Sequence, residues 1–162
     1  LSTVIDFTAG KGVGGGWLPR GAAGVPRLFV MSTLLVGLIS AAHVMALRAA
    51  RSGTALGAGR WMMTASIGAL LFLVVQVIAW WELIAANLRM DASLYAYTLF
   101  VLTGLHALHV IGGMPSLALT THRAMQGRYR ADDTVGIELS GLYWHTLAIA
   151  WIALYAVLWF GS

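Results

Sequence analysis

The chain has 162 residues, of which 59% are hydrophobic and 10% are charged, and its mean hydropathy is +0.80. This composition argues against a water-soluble enzyme, a disordered chain and a coiled coil. Because there is no cysteine, it also excludes disulfides, Cys-ligated zinc, iron–sulfur clusters and thiol catalysis. The net charge of +4 comes from basic residues in short segments between apolar runs. That distribution is typical of membrane topology signals and not of a nucleic-acid surface.

The first 27 residues contain many glycines, together with Pro19 and Pro26, and lack an apolar run long enough for a signal-peptide core. We therefore predict that residues 1–27 form an irregular extramembrane lead-in. The transmembrane domain is predicted to follow at residues 28–162.

Four stretches of the chain contain no Asp, Glu, Lys or Arg: 28–47, 61–81, 92–121 and 139–162. As α-helices at about 1.5 Å per residue, each spans about 30 Å or more, the thickness of a bilayer's hydrocarbon core. Strands of an outer-membrane barrel are excluded because they alternate apolar and polar residues. The sequence predicts an all-α, polytopic membrane protein whose bundle has four transmembrane helices, near residues 28–48, 61–86, 92–122 and 137–160.

Basic residues on the two sides of the predicted helices indicate the orientation. Six follow the first and third helices: Arg48, Arg51, Arg60, Arg123, Arg128 and Arg130. Four lie on the opposite side: Lys11, Arg20, Arg27 and Arg89. Because cytoplasmic loops carry the excess of Lys and Arg, we expect the first and third connections in the cytoplasm and both termini outside. Richness in alanine, glycine and arginine favours a bacterial cytoplasmic membrane over that of an organelle.

Small residues predict where the helices pack, since helices in lipid associate by close van der Waals contact. Gly37 with Ala41 on the first helix, and Ala65 with Ala69 on the second, supply such faces.

Polar side chains inside the spans are costly and are the candidate functional residues. They are His43, Gln76, Glu82, His106, His109, Glu138 and His145. His106 and His109 are three residues apart, and Glu138 and His145 are seven apart, so each pair lies on one helical face. Haem ligation would need one imidazole on each of two facing helices, and a metal site would need three converging ligands. Besides haem ligation and metal binding, a third interpretation is that these side chains hydrogen-bond one another or backbone carbonyls and thereby set the register between helices. We favour this third interpretation.

Two segments resemble characteristic motifs of subunit III of the haem–copper cytochrome c oxidases. The first reads LFVLTGLHALHV at residues 99–110 and matches the family's GxHxLHV pattern at Gly104, His106, Leu108, His109 and Val110. The second reads GIELSGLYWH at residues 136–145 and places Glu138 seven residues before the triplet Tyr143, Trp144 and His145. Weaker similarity at residues 25–40, Gln76 and 80–82 extends the resemblance to the last four of the family's usual seven helices.

The resemblance implies a non-catalytic accessory subunit of an aerobic respiratory oxidase. Such a subunit would bind no haem or copper itself and would support assembly, turnover stability and proton uptake of a catalytic subunit that oxidises cytochrome c or quinol. The implied partners are that haem–copper subunit, the other subunits of the complex and membrane lipid, with bound phospholipid as an additional ligand. His106, His109, Glu138 and His145 are then expected to form one interhelical polar cluster. His43, Gln76 and Glu82 are secondary polar positions.

Three alternatives remain at this point. The same fold can serve a nitric oxide reductase or another respiratory complex as an accessory part. A small membrane cytochrome b would use these histidines as haem ligands. A transporter is third, because no internal repeat or broken-helix pair is evident.

The chain also lacks two carboxylates common in the family, with Ala79 and Ala148 in their places.

Overall fold

The computed structural model describes residues 25–85 and 94–160, with side chains placed in 27–85 and 97–157. These ranges contain four α-helices: α1 Val25–Arg51, α2 Ala55–Ala85, α3 Leu94–Met125 and α4 Val135–Phe160. Each is long and apolar enough to cross a membrane, which confirms the predicted all-α architecture. Most of the predicted lead-in, residues 1–24, and the basic residue Arg89 lie outside the described residues.

The ends of the helices extend beyond the charge-free stretches. α2 begins at Ala55, six residues before the predicted start at Trp61, and includes the exposed Arg60. A helix can continue past the hydrocarbon core because a long basic side chain keeps its charge in water. The last turn of α1 holds Arg48 and Arg51, where cations favourably meet the carbonyl end of the helix dipole.

Two glycines allow the chain to reverse direction at the same end of the bundle. Gly53 follows α1 with φ of 75°, and Gly127 follows α3 with φ of 67°. Backbone N–H groups of Gly127 and Arg128 donate to carbonyls of the last turn of α3 at 3.1 Å. Only glycine adopts this left-handed conformation without a steric cost.

Each helix packs against two neighbours, so the four form a ring in the order α1, α2, α3, α4. The α1–α2 interface is built from small side chains, with Ala46 of α1 and both Ala65 and Ala69 of α2 fully buried. A Cβ added at Gly68 would lie 2.9 Å from Cγ1 of Ile39. The backbones of α1 and α2 therefore approach closely, as packing in lipid favours.

One of the two predicted packing faces does not contact another helix. Gly37 and Ala41 are exposed, and nothing lies within 4 Å of a Cβ added at Gly37. α1 instead buries Ala42, Ala46 and Ala50, which are four residues apart. Because one residue corresponds to about 100° around a helix, Ala41 and Ala42 lie on different faces.

Aromatic rings fill the centre of the bundle. Trp151 of α4 is fully buried, and its ring centroid lies 5.1 Å from that of Phe72 and 6.1 Å from that of Phe29. Its indole Nε1–H donates to Thr33 Oγ1 at 3.2 Å. The side chain of Trp151 thus links α4 to α1 and α2 at once.

Candidate functional site

A set of four polar side chains between α1 and α4 is joined by two hydrogen bonds from one helix to the other. We call this set the α1–α4 polar cluster; it consists of Ser40, His43, Ser140 and His145. His145 Nδ1 hydrogen-bonds Ser40 Oγ, and His43 Nε2 hydrogen-bonds Ser140 Oγ at 3.2 Å. The two imidazole centroids are 6.3 Å apart. Two interhelical hydrogen bonds at neighbouring levels set the register between α1 and α4.

The tautomer of His43 follows from its backbone contact. His43 Nδ1 lies 2.9 Å from the carbonyl oxygen of Ile39, one turn earlier on α1. Since a carbonyl can only accept, Nδ1–H is the donor, and in the neutral ring Nε2 accepts from the Ser140 hydroxyl. His43 is therefore held from two sides and is 1% exposed.

Glu138 forms a separate contact at the end of the bundle. Arg51 donates from Nη2 to Glu138 Oε1 at 3.0 Å, and the Thr134 hydroxyl donates to the same oxygen at 2.6 Å. Both charged side chains are substantially exposed. Arg51 is in the last turn of α1 and Glu138 in the first turn of α4, where the helix dipoles favour those charges.

The histidines of α3 have different environments although only three residues separate them. His106 is 7% exposed, and its ring lies 5.7 Å from Phe72 and 5.2 Å from Trp151, centroid to centroid. Among the described residues it has no hydrogen-bond partner. His109 is exposed, and its Nδ1–H donates to the Leu105 carbonyl at 2.7 Å.

The backbone of His109 joins α3 to α4. Tyr143 donates its hydroxyl to the His109 carbonyl at 2.8 Å. This approach requires Gly113, because a Cβ at that position would collide with the Tyr143 ring. Both motifs of the sequence thus meet here, through a tyrosine hydroxyl and a backbone carbonyl.

Two secondary positions lie away from these contacts. Gln76 of α2 is 2% exposed, and neither its Nε2 nor its Oε1 has a hydrogen-bond partner in the described part of the chain. Glu82 is half-buried and lies near the C-terminal end of α2.

The structure therefore divides the four residues predicted to form one cluster. His145 joins His43, Glu138 joins Arg51, and both contacts link α4 to α1. His106 and His109 remain on α3, at the boundary with α4. The sequence did not single out Ser40 and Ser140, because serine is common in membrane helices. Their spacing of three and five residues from His43 and His145 is the only signal that could have found them.

Within residues 25–85 and 94–160, no group of three or more His, Asp or Glu side chains converges in an arrangement suited to a metal ion. Four of the hydrogen bonds described above instead connect different helices: three join two side chains, and one joins the Tyr143 hydroxyl to a backbone carbonyl. Chemically, this arrangement can position helices relative to one another.

A family model described as cytochrome c oxidase subunit III matches residues 8–162. Similar proteins include the cytochrome c oxidase subunit 3 of Corynebacterium diphtheriae, 28% identical over 153 residues that cover 93% of this chain and 74% of the relative. The probable cytochrome c oxidase subunit 3 of Mycobacterium leprae is 27% identical over 154 residues, and the aligned region covers 95% of this chain and 76% of the relative. The Lumbricus terrestris subunit 3 is 38% identical over 82 residues, covering 50% of this chain and 32% of the relative.

Proposed function

The chain belongs to the cytochrome c oxidase subunit III family and is a multi-pass accessory subunit of a haem–copper oxidase, and from this premise we propose how its bundle serves the complex. It supports the assembly and turnover stability of the catalytic subunit and helps that subunit take up protons. The partner subunits hold the haem and copper.

The observation that carries the structural role is the use of the family's motif residues as connections between helices. His145 bonds Ser40, Glu138 bonds Arg51, and Tyr143 bonds the His109 backbone. Side chains that fix a helix register hold a surface in one shape, which a docking partner needs.

Exposed carboxylates support the proton-uptake role. Asp132 and Asp133 lie in the connection between α3 and α4, and Glu138 lies at the start of α4. Carboxylates grouped at one end of the bundle can collect protons near the surface of a partner subunit. We expect the complex without this chain to keep its haem spectrum and to lose turnover rate at alkaline pH, where protons are scarce.

The chain lies in a bacterial cytoplasmic membrane, and the distribution of basic residues supports an orientation with both termini outside. In the described part of the chain, six arginines lie at the end of the bundle where α1 connects to α2 and α3 connects to α4. Among them are Arg48, Arg60 and Arg123. Labelling a cysteine placed at Ser52 in right-side-out and inverted vesicles tests this. Labelling from the cytoplasmic side is expected, and labelling from outside would reverse the orientation.

A phospholipid is proposed as an additional ligand between α1 and α4. An opening of about 340 Å³ is lined by Arg48 and Arg51, by Glu138, which pairs with Arg51, and by apolar residues that include Leu47 and Leu142. A phosphate group suits the arginines, and an acyl chain suits the apolar walls. Arg48→Gln should lower the amount of anionic phospholipid that co-purifies, and an unchanged amount would remove this site.

The central experiment is purification in mild detergent through a tag on this chain, with mass spectrometry and absorption spectra. We expect a haem–copper catalytic subunit to co-purify and the separated chain to be colourless. A Soret band in the separated chain would instead identify a small membrane cytochrome b. Co-purification of a nitric oxide reductase would assign the chain to that complex.

A further inference from the structure

A small cavity lies inside the bundle, with side chains of all four helices around it. It is lined by Val36 and Ile39 of α1, by Phe72 of α2, and by residues of α3 and α4 that include His106 and Trp144. Every residue around it is buried. The centre of a water-sized sphere has about 10 Å³ of this space available, close to the roughly 10–15 Å³ that one buried water needs. We call this space the central cavity.

Two polar side chains line the central cavity, and neither has a hydrogen-bond partner among the described residues. The indole Nε1–H of Trp144 is buried and can only donate. The neutral imidazole of His106 has one donor and one acceptor nitrogen. Both residues belong to the two sequence motifs, since Trp144 lies between Tyr143 and His145, and His106 lies three residues before His109. They are the motif side chains that the interhelical hydrogen bonds described above leave unused.

Neighbouring rings hold both side chains in place. Trp144 stacks on His43, with ring centroids 6.3 Å apart and planes inclined by 22°. His106 packs against Phe72 and Trp151, at centroid distances of 5.7 and 5.2 Å. In a close-packed interior, a large rotation of either ring would collide with these neighbours. The two side chains therefore stay beside the central cavity.

Both polar groups lie deep in the membrane. Trp144 is two residues from the midpoint of the span Val135–Val157, which is about 3 Å along the helix axis. His106 is five residues from the midpoint of the span Tyr97–Met125, about 8 Å along the axis. Lipid headgroups and bulk water do not reach this depth. An unpaired N–H is costly there, because it has lost its hydrogen bond to water and gained none.

We propose that the central cavity binds one water molecule, which accepts a hydrogen bond from Trp144 Nε1–H and donates one to the unprotonated ring nitrogen of His106. Water matches the size of the cavity and can accept and donate at once, whereas an apolar molecule would leave both groups unpaired. The bound water links α3 to α4 in the middle of the membrane, in addition to the bond from Tyr143 to the His109 carbonyl. This site lies within the chain, so it goes beyond the proposed function and does not depend on a partner subunit.

Two substitutions of equal shape at Ala148, which lines the central cavity, test for the water. Ala148→Val and Ala148→Thr both fill the space, but only threonine brings a hydroxyl that can hydrogen-bond Trp144 or His106. The full chain is unfolded by SDS in mixed micelles. If the cavity binds water, the equilibrium constant for unfolding should be on the order of tenfold larger for Ala148→Val than for Ala148→Thr.

The same pair of substitutions at Ala150 is the matched control, because Ala150 is on the same helix and is exposed. It measures the intrinsic difference between valine and threonine in α4, including the bond of a threonine hydroxyl to its own helix backbone. A dry cavity predicts the reverse order at residue 148, since an unpaired hydroxyl is costly to bury and a methyl group is not. That order, or a ratio at residue 148 equal to the ratio at residue 150, would overturn the proposal.

Nuclear magnetic resonance detects the water directly in the unmodified chain, in detergent micelles. The chain has seven tryptophans, and the indole signal of Trp144 is the one missing from the spectrum of Trp144→Phe. We expect a dipolar cross-peak between this indole proton and a water proton. His106→Leu removes the acceptor and should abolish the cross-peak, and His106→Gln keeps an acceptor and should retain it. Absence of the cross-peak in the unmodified chain, or its persistence in His106→Leu, would show that no water bridges the two side chains.

Discussion

Adjacent glycines in α3 should respond oppositely to the same substitution. A Cβ at Gly113 would collide with Cε1 of Tyr143 and lie 3.2 Å from its Cδ1, whereas a Cβ at Gly112 meets nothing within 4 Å. Gly113→Ala must therefore displace the Tyr143 ring and weaken its hydrogen bond to the His109 carbonyl. Gly112→Ala places the same methyl group in open space.

Three contributions set the magnitude. Alanine favours the helix over glycine by up to about 1 kcal/mol, equally at both positions. Overpacking costs about 1–3 kcal/mol, and a hydrogen bond inside a membrane protein contributes about 0.6 and at most about 1.7 kcal/mol. The free energies of unfolding of the two variants should differ by about 2–5 kcal/mol, with Gly113→Ala the less stable.

Unfolding by SDS in mixed micelles, followed by tryptophan fluorescence, measures this difference in the purified membrane protein. Combining Gly113→Ala with Tyr143→Ala removes the collision, so the added alanine at residue 113 should then cost little. Equal free energies of unfolding for Gly112→Ala and Gly113→Ala would refute the close packing of Tyr143 on α3.

Three further predictions concern the polar side chains. In a double-mutant cycle, Ser40→Ala and His145→Phe should show a coupling energy of about 1 kcal/mol, because they share one interhelical hydrogen bond. Additive effects in the SDS titration would contradict that bond. Arg51→Gln should cost less than about 1 kcal/mol, and raising the salt concentration should shrink the cost, since the ion pair with Glu138 is exposed. A salt-independent loss of thermal stability would indicate a buried interaction instead. Gln76→Met should be neutral or stabilising, because neither amide atom is hydrogen-bonded to a described residue. A loss above about 1 kcal/mol would show that Gln76 has a partner in the complex.

The presence and number of the described helices were predictable because the bilayer imposes a simple rule. Inside hydrocarbon every backbone N–H and C=O must be bonded within the segment, so a long uncharged stretch is a helix whatever surrounds it. The rule does not locate helix ends in water, and α2 accordingly begins before Arg60. It also does not choose among small residues, so Ala65 and Ala69 were predicted to pack while Ala42 and Ala46 were missed.

The partners of the candidate residues were harder to predict. Spacing of three places His106 and His109 about 60° apart around α3, which is enough to bury one ring and expose the other. Spacing of seven places Glu138 and His145 on one face, but about 10 Å apart along the axis, so Glu138 reaches Arg51 and His145 reaches Ser40. Periodicity describes a single helix and contains no information on which neighbour its face meets.

The sequence by itself determined that the described chain crosses a membrane as apolar helices, and its two histidine-containing motifs identified the family. Both properties are local, since they depend on runs of side chains and on fixed spacings within one segment. Only the tertiary structure decided that His145 contacts α1, that His106 has no hydrogen-bond partner among the described residues, and that His106 and Trp144 line the same cavity. These depend on the rotation and depth of each helix relative to its neighbours. In lipid that arrangement is chosen by close contacts such as Gly113 with Tyr143 and Gly68 with Ile39, which are set between segments distant in the chain.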